Sequence, residues 1–169
     1  MNTPASDATD PLLGDEPVVI DEYGAPGDRE AFDALNRWWL EAYFHVEPED
    51  LRIIEDPDGV ILSNGGRILM ARLDGVAIGT AALIPIDEEA CEFAKMGVDP
   101  AYAGRGIGRK ILEHSLELAK ASGYRKMLIC TSSTLGPANH LYRSVGFVPS
   151  RDPRHHSYER ADVFIEKIL

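Results

Sequence analysis

Cysteine is nearly absent from this chain: Cys91 and Cys130 are the only two in 169 residues. Two cysteines make no disulfide framework. Each lies in an apolar, strand-like run, so the pair reads as buried thiols in a reducing compartment, and a cytoplasmic location is expected. Neither neighbours a His-Asp or His-Asn arrangement, which argues against a cysteine nucleophile. Long hydrophobic runs are missing as well. None approaches the roughly 18 residues a membrane-spanning helix needs, so no membrane partner is expected. The first 16 residues carry Asp7, Asp10, Asp15 and Glu16 with neither a basic segment nor an apolar core. They do not read as a secretory leader; with Pro4, Pro11 and Pro17 they read as a flexible acidic tail before one domain over 17–169. Positive charge is scarce, with 17 Lys and Arg against 28 Asp and Glu, a formal net charge of -11. Phosphate backbones are bound through Lys and Arg, so nucleic acid is not expected as a partner. The surplus acid either favours cationic acceptors or only keeps the protein soluble.

What is present is an alternation of strand and helix patterns. Val18–Tyr23 reads as a strand. Asp28 is a candidate cap for a helix over 29–44, where Phe32, Leu35, Trp39 and Tyr43 recur at helical spacing. A short helix from Pro48 ends before Pro57, and Val60–Leu62 is a short apolar stretch. Strand patterns at 67–72 and 76–84 flank Asp74-Gly75, a hairpin signal. Further strands are expected at 90–98, 126–130, from 147 and at 162–169, with helices at 106–121 and 137–143. Residues 149–159 read as a loop rich in Arg and His. Hairpins in the first half and strand-helix-strand units in the second give a mixed α/β (α+β) domain, not a doubly wound sheet.

The most informative segment is Gly104-Arg105-Gly106-Ile107-Gly108, between the strand ending at Val98 and the helix that follows. Glycines at this density let the backbone approach a ligand. Their amides, with those of the first helical turn, form a nest for an anion. No Gly-Lys-Ser/Thr follows, so this is not an ATP-type loop. The position in the chain and the missing acidic residue after the next strand disfavour a dinucleotide site. Glycines that only make a tight turn are the alternative on spacing alone.

At this point the chain resembles the GNAT superfamily of N-acetyltransferases. The family signature is Arg or Gln, two residues, Gly, one residue, then Gly or Ala, and it aligns with Ala103 to Gly108. A second segment, Asn139-His140-Leu141-Tyr142-Arg143-Ser144-Val145-Gly146-Phe147, is similar to the family's later cofactor-binding helix and the strand after it. The resemblance implies an acyl-CoA N-acyltransferase fold, a single three-layer domain with a mostly antiparallel central sheet flanked by helices. It implies acetyl-CoA as cofactor, its pyrophosphate held by the amides around Gly104, Arg105, Gly106, Ile107, Gly108 and Arg109. The pantetheine arm is expected along the backbone of Met96, Gly97 and Val98, with Asn139 beside it. Ala103 stands where Arg or Gln is usual, which removes a side-chain contact and predicts weaker cofactor affinity.

Two side chains are candidates for proton transfer. Strict alternation over 90–98 sets Glu92, Ala94, Met96 and Val98 on one face, and Cys91, Phe93 and Lys95 on the other. A carboxylate among apolar neighbours has its pKa raised towards that of a useful base. The resemblance implies a general base at this level; a structural glutamate is the alternative. Tyr142 matches the family tyrosine that protonates the departing thiolate; a core tyrosine is the alternative. The resemblance points to Trp38, Trp39, Tyr43, Phe44 and His45 on one side of an acceptor pocket, and to Arg154, His155, His156, Tyr158 and Arg160 on the other. A homodimer contact would use the same residue types. No well-spaced third ligand accompanies His155-His156, so no metal is expected. Ser132–Thr134 either face the site or cap the helix near Pro137. The expected activity is direct acetyl transfer, in a ternary complex, to the primary amine of a small molecule. Transfer to a protein or peptide, and an inactive CoA-binding sensor, are the alternatives.

Overall fold

The structure is a computed structural model that describes residues 17–154 and 158–169. The expected tail and the His155-His156 pair lie outside the described residues. Strand β1 (Val19–Glu22) is followed by helices α1 (Asp28–Tyr43), α2 (Pro48–Glu55) and α3 (Pro57–Val60). The stretch expected as simply apolar at 60–62 is thus the end of α3 and the start of a 3-10 turn, Leu62–Asn64. Strands β2 (Arg67–Leu73), β3 (Val76–Pro85) and β4 (Ala90–Val98) form a meander. Helix α4 (Ile107–Ala121), β5 (Lys126–Thr131), α5 (Gly136–Ser144), β6 (Val148–Pro149) and β7 (Val163–Ile168) complete the chain. The strand expected from residue 147 is only two residues long, although the Ser150 amide beyond it still donates to the Phe164 carbonyl at 3.0 Å.

The seven strands lie in the order β1-β2-β3-β4-β5-β7-β6. Only β4 and β5 run parallel; all other neighbours are antiparallel. Each face is covered. Phe32, Leu40, Ile53 and Ile54 of α1 and α2 pack on Ile68 and Met70 of β2. Ile107, Ile111 and Leu112 of α4, with Tyr142 of α5, pack on Ala71, Phe93 and Met127. Ile68 and Met70 point one way and Ala71 the other, the period-two alternation of a strand buried on both sides. The result is the three-layer mixed sheet, and it is the acyl-CoA N-acyltransferase fold.

In β4 the expected alternation fails at one residue. Gly97 pairs with Thr80 and Ala94 with Ala82, so Lys95 and Met96 together oppose Ala81. This β-bulge is made by Lys95 in the left-handed region, φ 55°. One extra residue reverses the phase. Lys95 therefore lies on the α1–α2 face with Glu92, not opposite it, and Met96 joins Phe93 beneath α4.

A second irregularity opens the sheet. The parallel pairing of β4 with β5 covers only Ala90, Cys91 and Glu92 against Lys126, Met127 and Leu128. Past that point the two strands part. Gly97 holds β4 to the helix above it: a Cβ there would stand 2.7 Å from the carbonyl oxygen of Leu35 and 3.2 Å from Trp39 Cδ1. The close approach that this glycine permits is therefore to α1. Gly97→Val should force α1 off the sheet and cost about 1–3 kcal/mol in urea unfolding. An unchanged midpoint would show that α1 is not seated on this strand.

Candidate active site

At the C-terminal end of β4, Asp99 accepts a hydrogen bond from the Ala101 amide and closes the turn Pro100–Tyr102. The chain then passes through Gly104 (φ 76°) and Gly106 (φ 75°), both left-handed. At neither would a Cβ meet any atom within 4 Å, so backbone conformation requires glycine and the side it leaves bare is open. Gly106 is the N-cap of α4 and no side chain caps the helix. No described acceptor takes the amides of Gly106, Ile107 and Gly108. They converge with the positive end of the helix dipole, the arrangement that receives a phosphate. Gly108 serves packing: its Cβ would lie 3.6 Å from Leu141 and 3.7 Å from Met96 Sδ. Ala103 ends the turn and contributes only a methyl group. The Arg105 guanidinium lies 5.5 Å from the Tyr102 ring centroid. Arg109 is turned aside, donating to Ser144 Oγ at 2.7 Å and pairing with Glu113.

Where β4 and β5 part there is a cleft of about 300 Å³. Phe93–Val98 form one wall, Ile129–Thr131 the other, and Tyr142 lines it from α5. Among the described residues, no strand pairs with this edge of β4 beyond Glu92. Trp38, Trp39 and Tyr43 of α1 also line the cleft, so these three acceptor candidates are brought together with the strand edge. Trp38 and Tyr43 meet edge-to-face with ring centroids 6.2 Å apart, and both are exposed. The Tyr142 ring is buried between Phe93 and Phe147. Burial alone pushes its phenol up, so the hydroxyl stays protonated at neutral pH. Cys130 lines the cleft, whereas burial pushes the Cys91 thiol up to about 12.

Other candidates are occupied elsewhere. Asn139 does not line the cleft; its amide nitrogen donates to the Ser132 and Leu135 carbonyls at 2.7 and 2.9 Å, which fixes the start of α5. No hydroxyl caps α5, whose N-cap is Leu135. Ser133 instead binds Asp162 through both its amide and its hydroxyl, at 2.7 and 2.6 Å. Arg154 pairs with Asp87 and Asp152, away from the cleft.

Behind the cleft lies a second, smaller cavity of about 50 Å³, lined by Glu92, Lys95, Ser132, Tyr158 and Arg160. It shares Trp39, Ala94, Lys95, Cys130, Thr131 and Leu135 with the main cleft, so Glu92 and Tyr142 line adjoining spaces and not one cavity. Glu92 is buried. Beside it, Asp50 of α2 accepts hydrogen bonds from Lys95 Nζ at 2.5 Å and from Arg160 Nη1 and Nη2 at 2.6 and 2.7 Å. Arg160 Nη1 also reaches Glu47 Oε2 at 2.8 Å. Lys95 lies 5.0 Å from the Tyr158 ring and Arg160 4.3 Å from the same ring. Burial pushes the Asp50 carboxyl up, but Arg160 and Lys95 outweigh it and hold it below its ordinary value. Burial pulls the Lys95 ammonium down against the pull of Asp50. Asp50 and Lys95 were invisible to sequence reasoning as site residues. Asp50 lies in the short helix from Pro48 with no pattern that marks a site, and period-two alternation puts Lys95 on the other face.

An amide nest at a helix start, a cleft between parting parallel strands and a buried tyrosine in its wall lie side by side on this fold. Residues 32–147 match the acetyltransferase (GNAT) family, and the chain belongs to that family. An amino-acid acetyltransferase of Azotobacter vinelandii is 33% identical over 112 residues, covering 62% of this chain and 25% of that protein. The chain thus spans about a quarter of that curated relative or less of others. A GNAT acetyltransferase from Staphylococcus aureus Mu50 superposes with a TM-score of 0.81 at 20% identity, covering 90% of this chain and 99% of that one. The PaiA N-acetyltransferase of Thermoplasma acidophilum, solved with coenzyme A, gives 0.72 at 19% identity over 90% of this chain and 99% of its own. At these identities the structural likeness is one of fold.

The Asp50 cluster has a pH signature. A carboxyl held low in the folded state stabilises fully above its unfolded pKa, and that stability is lost as pH falls through the folded value. Asp50→Asn should cost about 3–5 kcal/mol at neutral pH, by leaving buried cations without their carboxylate. The gap to the parent protein should narrow as pH is lowered from about 5 towards 2. Urea unfolding across that range measures both, and a gap that stays constant would remove Asp50 from the role.

Proposed function

We propose that this protein transfers the acetyl group of acetyl-CoA to the primary amine of a small molecule, by direct attack within a ternary complex. The observation that carries this reading is the cleft between β4 and β5, with the amide nest at its phosphate end and Tyr142 in its wall. The residues suit the cofactor. The unclaimed amides of Gly106, Ile107 and Gly108 match a pyrophosphate, and the unpaired β4 edge at Met96–Val98 matches an amide-bearing arm that binds as an added strand. Acetyl-CoA supplies an already activated acyl group, so positioning accounts for much of the rate.

Trp38, Trp39 and Tyr43 line the approach for the amine. Glu92 takes a proton from the ammonium, through water, from the adjoining cavity. The amine nitrogen then forms the new bond to the acetyl carbon as the carbon–sulfur bond breaks; Tyr142 donates its hydroxyl proton to the departing sulfur, and the second proton shed by the nitrogen as it becomes the amide returns to the phenolate through water. The phenol is protonated at neutral pH, and because burial makes it a weaker acid the transfer is driven by the basicity of the departing thiolate.

Thiol release from acetyl-CoA across a panel of amines, with coenzyme A binding read in parallel, tests the reading. Binding without release from any amine or peptide would favour a CoA-binding sensor. Gly106→Val should raise the coenzyme A dissociation constant about tenfold or more, because it strains a left-handed residue and fills the nest. Unchanged affinity would refute the assigned phosphate site. Tyr142→Phe should lower kcat about 100-fold with little change in coenzyme A affinity. Unchanged kcat would remove it as the proton donor.

A further inference from the structure

Asn36 of α1 is a polar side chain with no exposed surface. Burying an amide is costly unless its polar atoms are bonded. Here both are: Nδ2 donates to the Phe32 carbonyl at 2.9 Å, and Oδ1 accepts the Trp39 indole N–H at 3.1 Å. An indole N–H only donates and a carbonyl only accepts, so turning the amide round would break both bonds. The ring that this amide holds stands at a junction. Trp39, Ala94, Lys95, Cys130, Thr131 and Leu135 line both the main cleft and the small cavity, and the indole is the largest of these side chains. Phe44 meets it edge-on with ring centroids 6.3 Å apart. Lys95 Nζ and Arg160 Cζ lie 6.0 and 5.7 Å from the indole centroid. Trp38, one residue earlier, is exposed and meets Tyr43 edge-to-face, so of the two neighbouring indoles only Trp39 is tied to a buried amide.

We propose that Asn36 is a positioning residue: it locks the Trp39 indole as a partition that keeps water in the small cavity away from the thioester, so that the acetyl group passes to an amine and not to water. The inference rests on the acetyl-transfer reading above and adds what protects the donor at that site. A polar cavity of about 50 Å³ is roomy enough for water. Water there lies beside Glu92, which that reading makes a proton acceptor, and is a better nucleophile than bulk water. Its attack would bond oxygen to the acetyl carbon as the carbon–sulfur bond breaks. Acetate and free thiol would result, one proton of the water passing to the sulfur and the other to solvent. Walling off such water prevents this side reaction. A proton relay needs only a hydrogen-bonded water at the partition, whereas hydrolysis needs the oxygen of that water to reach the acetyl carbon. The place of one ring separates the two. Without the Asn36 oxygen the indole loses its acceptor, and the population of the displaced ring rises about tenfold, the worth of one buried hydrogen bond.

The test uses the full chain and acetyl-CoA without an amine, with acetate formation followed by NMR. The parent protein should form acetate slowly, and Asn36→Leu about tenfold faster. Trp39→Phe puts a smaller ring in the partition with no N–H to hold. It should raise acetate formation as well, and it carries the test if Asn36→Leu does not fold. Adding Asn36→Leu to Trp39→Phe should give no further rise, because the amide acts through the indole. Coenzyme A affinity, read by calorimetry, should change little, whereas a merely structural role would weaken binding and slow hydrolysis with it. Trp38→Phe leaves Trp39 as the only tryptophan, and in that background Asn36→Leu should increase acrylamide quenching of its emission. Acetate formation that is fast in the parent, or unchanged in both single variants, would overturn the partition. Unchanged quenching, or a further rise in the double variant, would overturn the lock by Asn36. An amine panel run in parallel keeps the two readings apart. If no amine is acetylated while the variants still speed acetate formation, the transfer reading falls and the partition stands. If amines are acetylated and acetate formation does not change, the partition falls alone. A protein that does not bind coenzyme A would overturn both.

Discussion

A sheet that stops pairing in its middle must make up the loss elsewhere, and in this molecule everything near the site follows from how that is done. Beyond Glu92 and Leu128 the edges of β4 and β5 give up their mutual hydrogen bonds. Backbone groups left without partners cost about 1–3 kcal/mol each unless water or a ligand takes them. The strand stays in place because its other edge remains paired with β3 as far as Gly79 and Val98, and because α1 rests directly on Gly97. Two hydrophobic layers, one under α1 and α2 and one under α4 and α5, grip the sheet from either side of the gap. The cleft is therefore a permanent part of the architecture, and an incoming extended chain would complete the pairing that the sheet lacks.

The bulge and the buried ion cluster form one device. A lysine in the left-handed region is disfavoured by sterics. Here it carries the Lys95 side chain through to α2, where Asp50 receives it. Asp50 also receives Arg160 from the segment before β7, and it accepts the Glu47 amide at the start of α2 at 3.0 Å. One carboxylate thus fastens a helix start, a strand irregularity and a loop. Its worth lies less in net stability than in fixing these three parts to each other, since buried ion pairs recover their desolvation cost only with good geometry.

Most elements were legible because their patterns are strong: the hairpin around Asp74-Gly75, the helical stripe of Phe32, Leu35 and Trp39, and the glycine run before α4 all fall where periodicity and turn chemistry put them. What escaped has a common cause. Counting residues in twos assumes an unbroken ladder, and nothing in Ala94-Lys95-Met96 announces that one residue will be skipped. The partnership of Asp50, Lys95 and Arg160 spans 110 residues of sequence and depends on that skip, so it was hidden twice over. Asn139 and Arg109 sit in the expected segments, but their donors are drawn to nearer acceptors, the Leu135 carbonyl and Ser144. The backbone of a motif is easier to foresee than its side chains, because geometry is set by glycine and helix phase while side chains answer to local competition.

The contact between Gly97 and the Leu35 carbonyl has a consequence for how such a protein diversifies. Helix α1 cannot be raised or lowered over β4 to make room for a larger or smaller guest, because main chain meets main chain there. The distance between the strand edge and the helix that carries Trp38, Trp39 and Tyr43 is a fixed gauge. On the proposed acetyl transfer, new acceptor preferences would be written in side chains along that helix face, while the strand edge is carried forward unchanged.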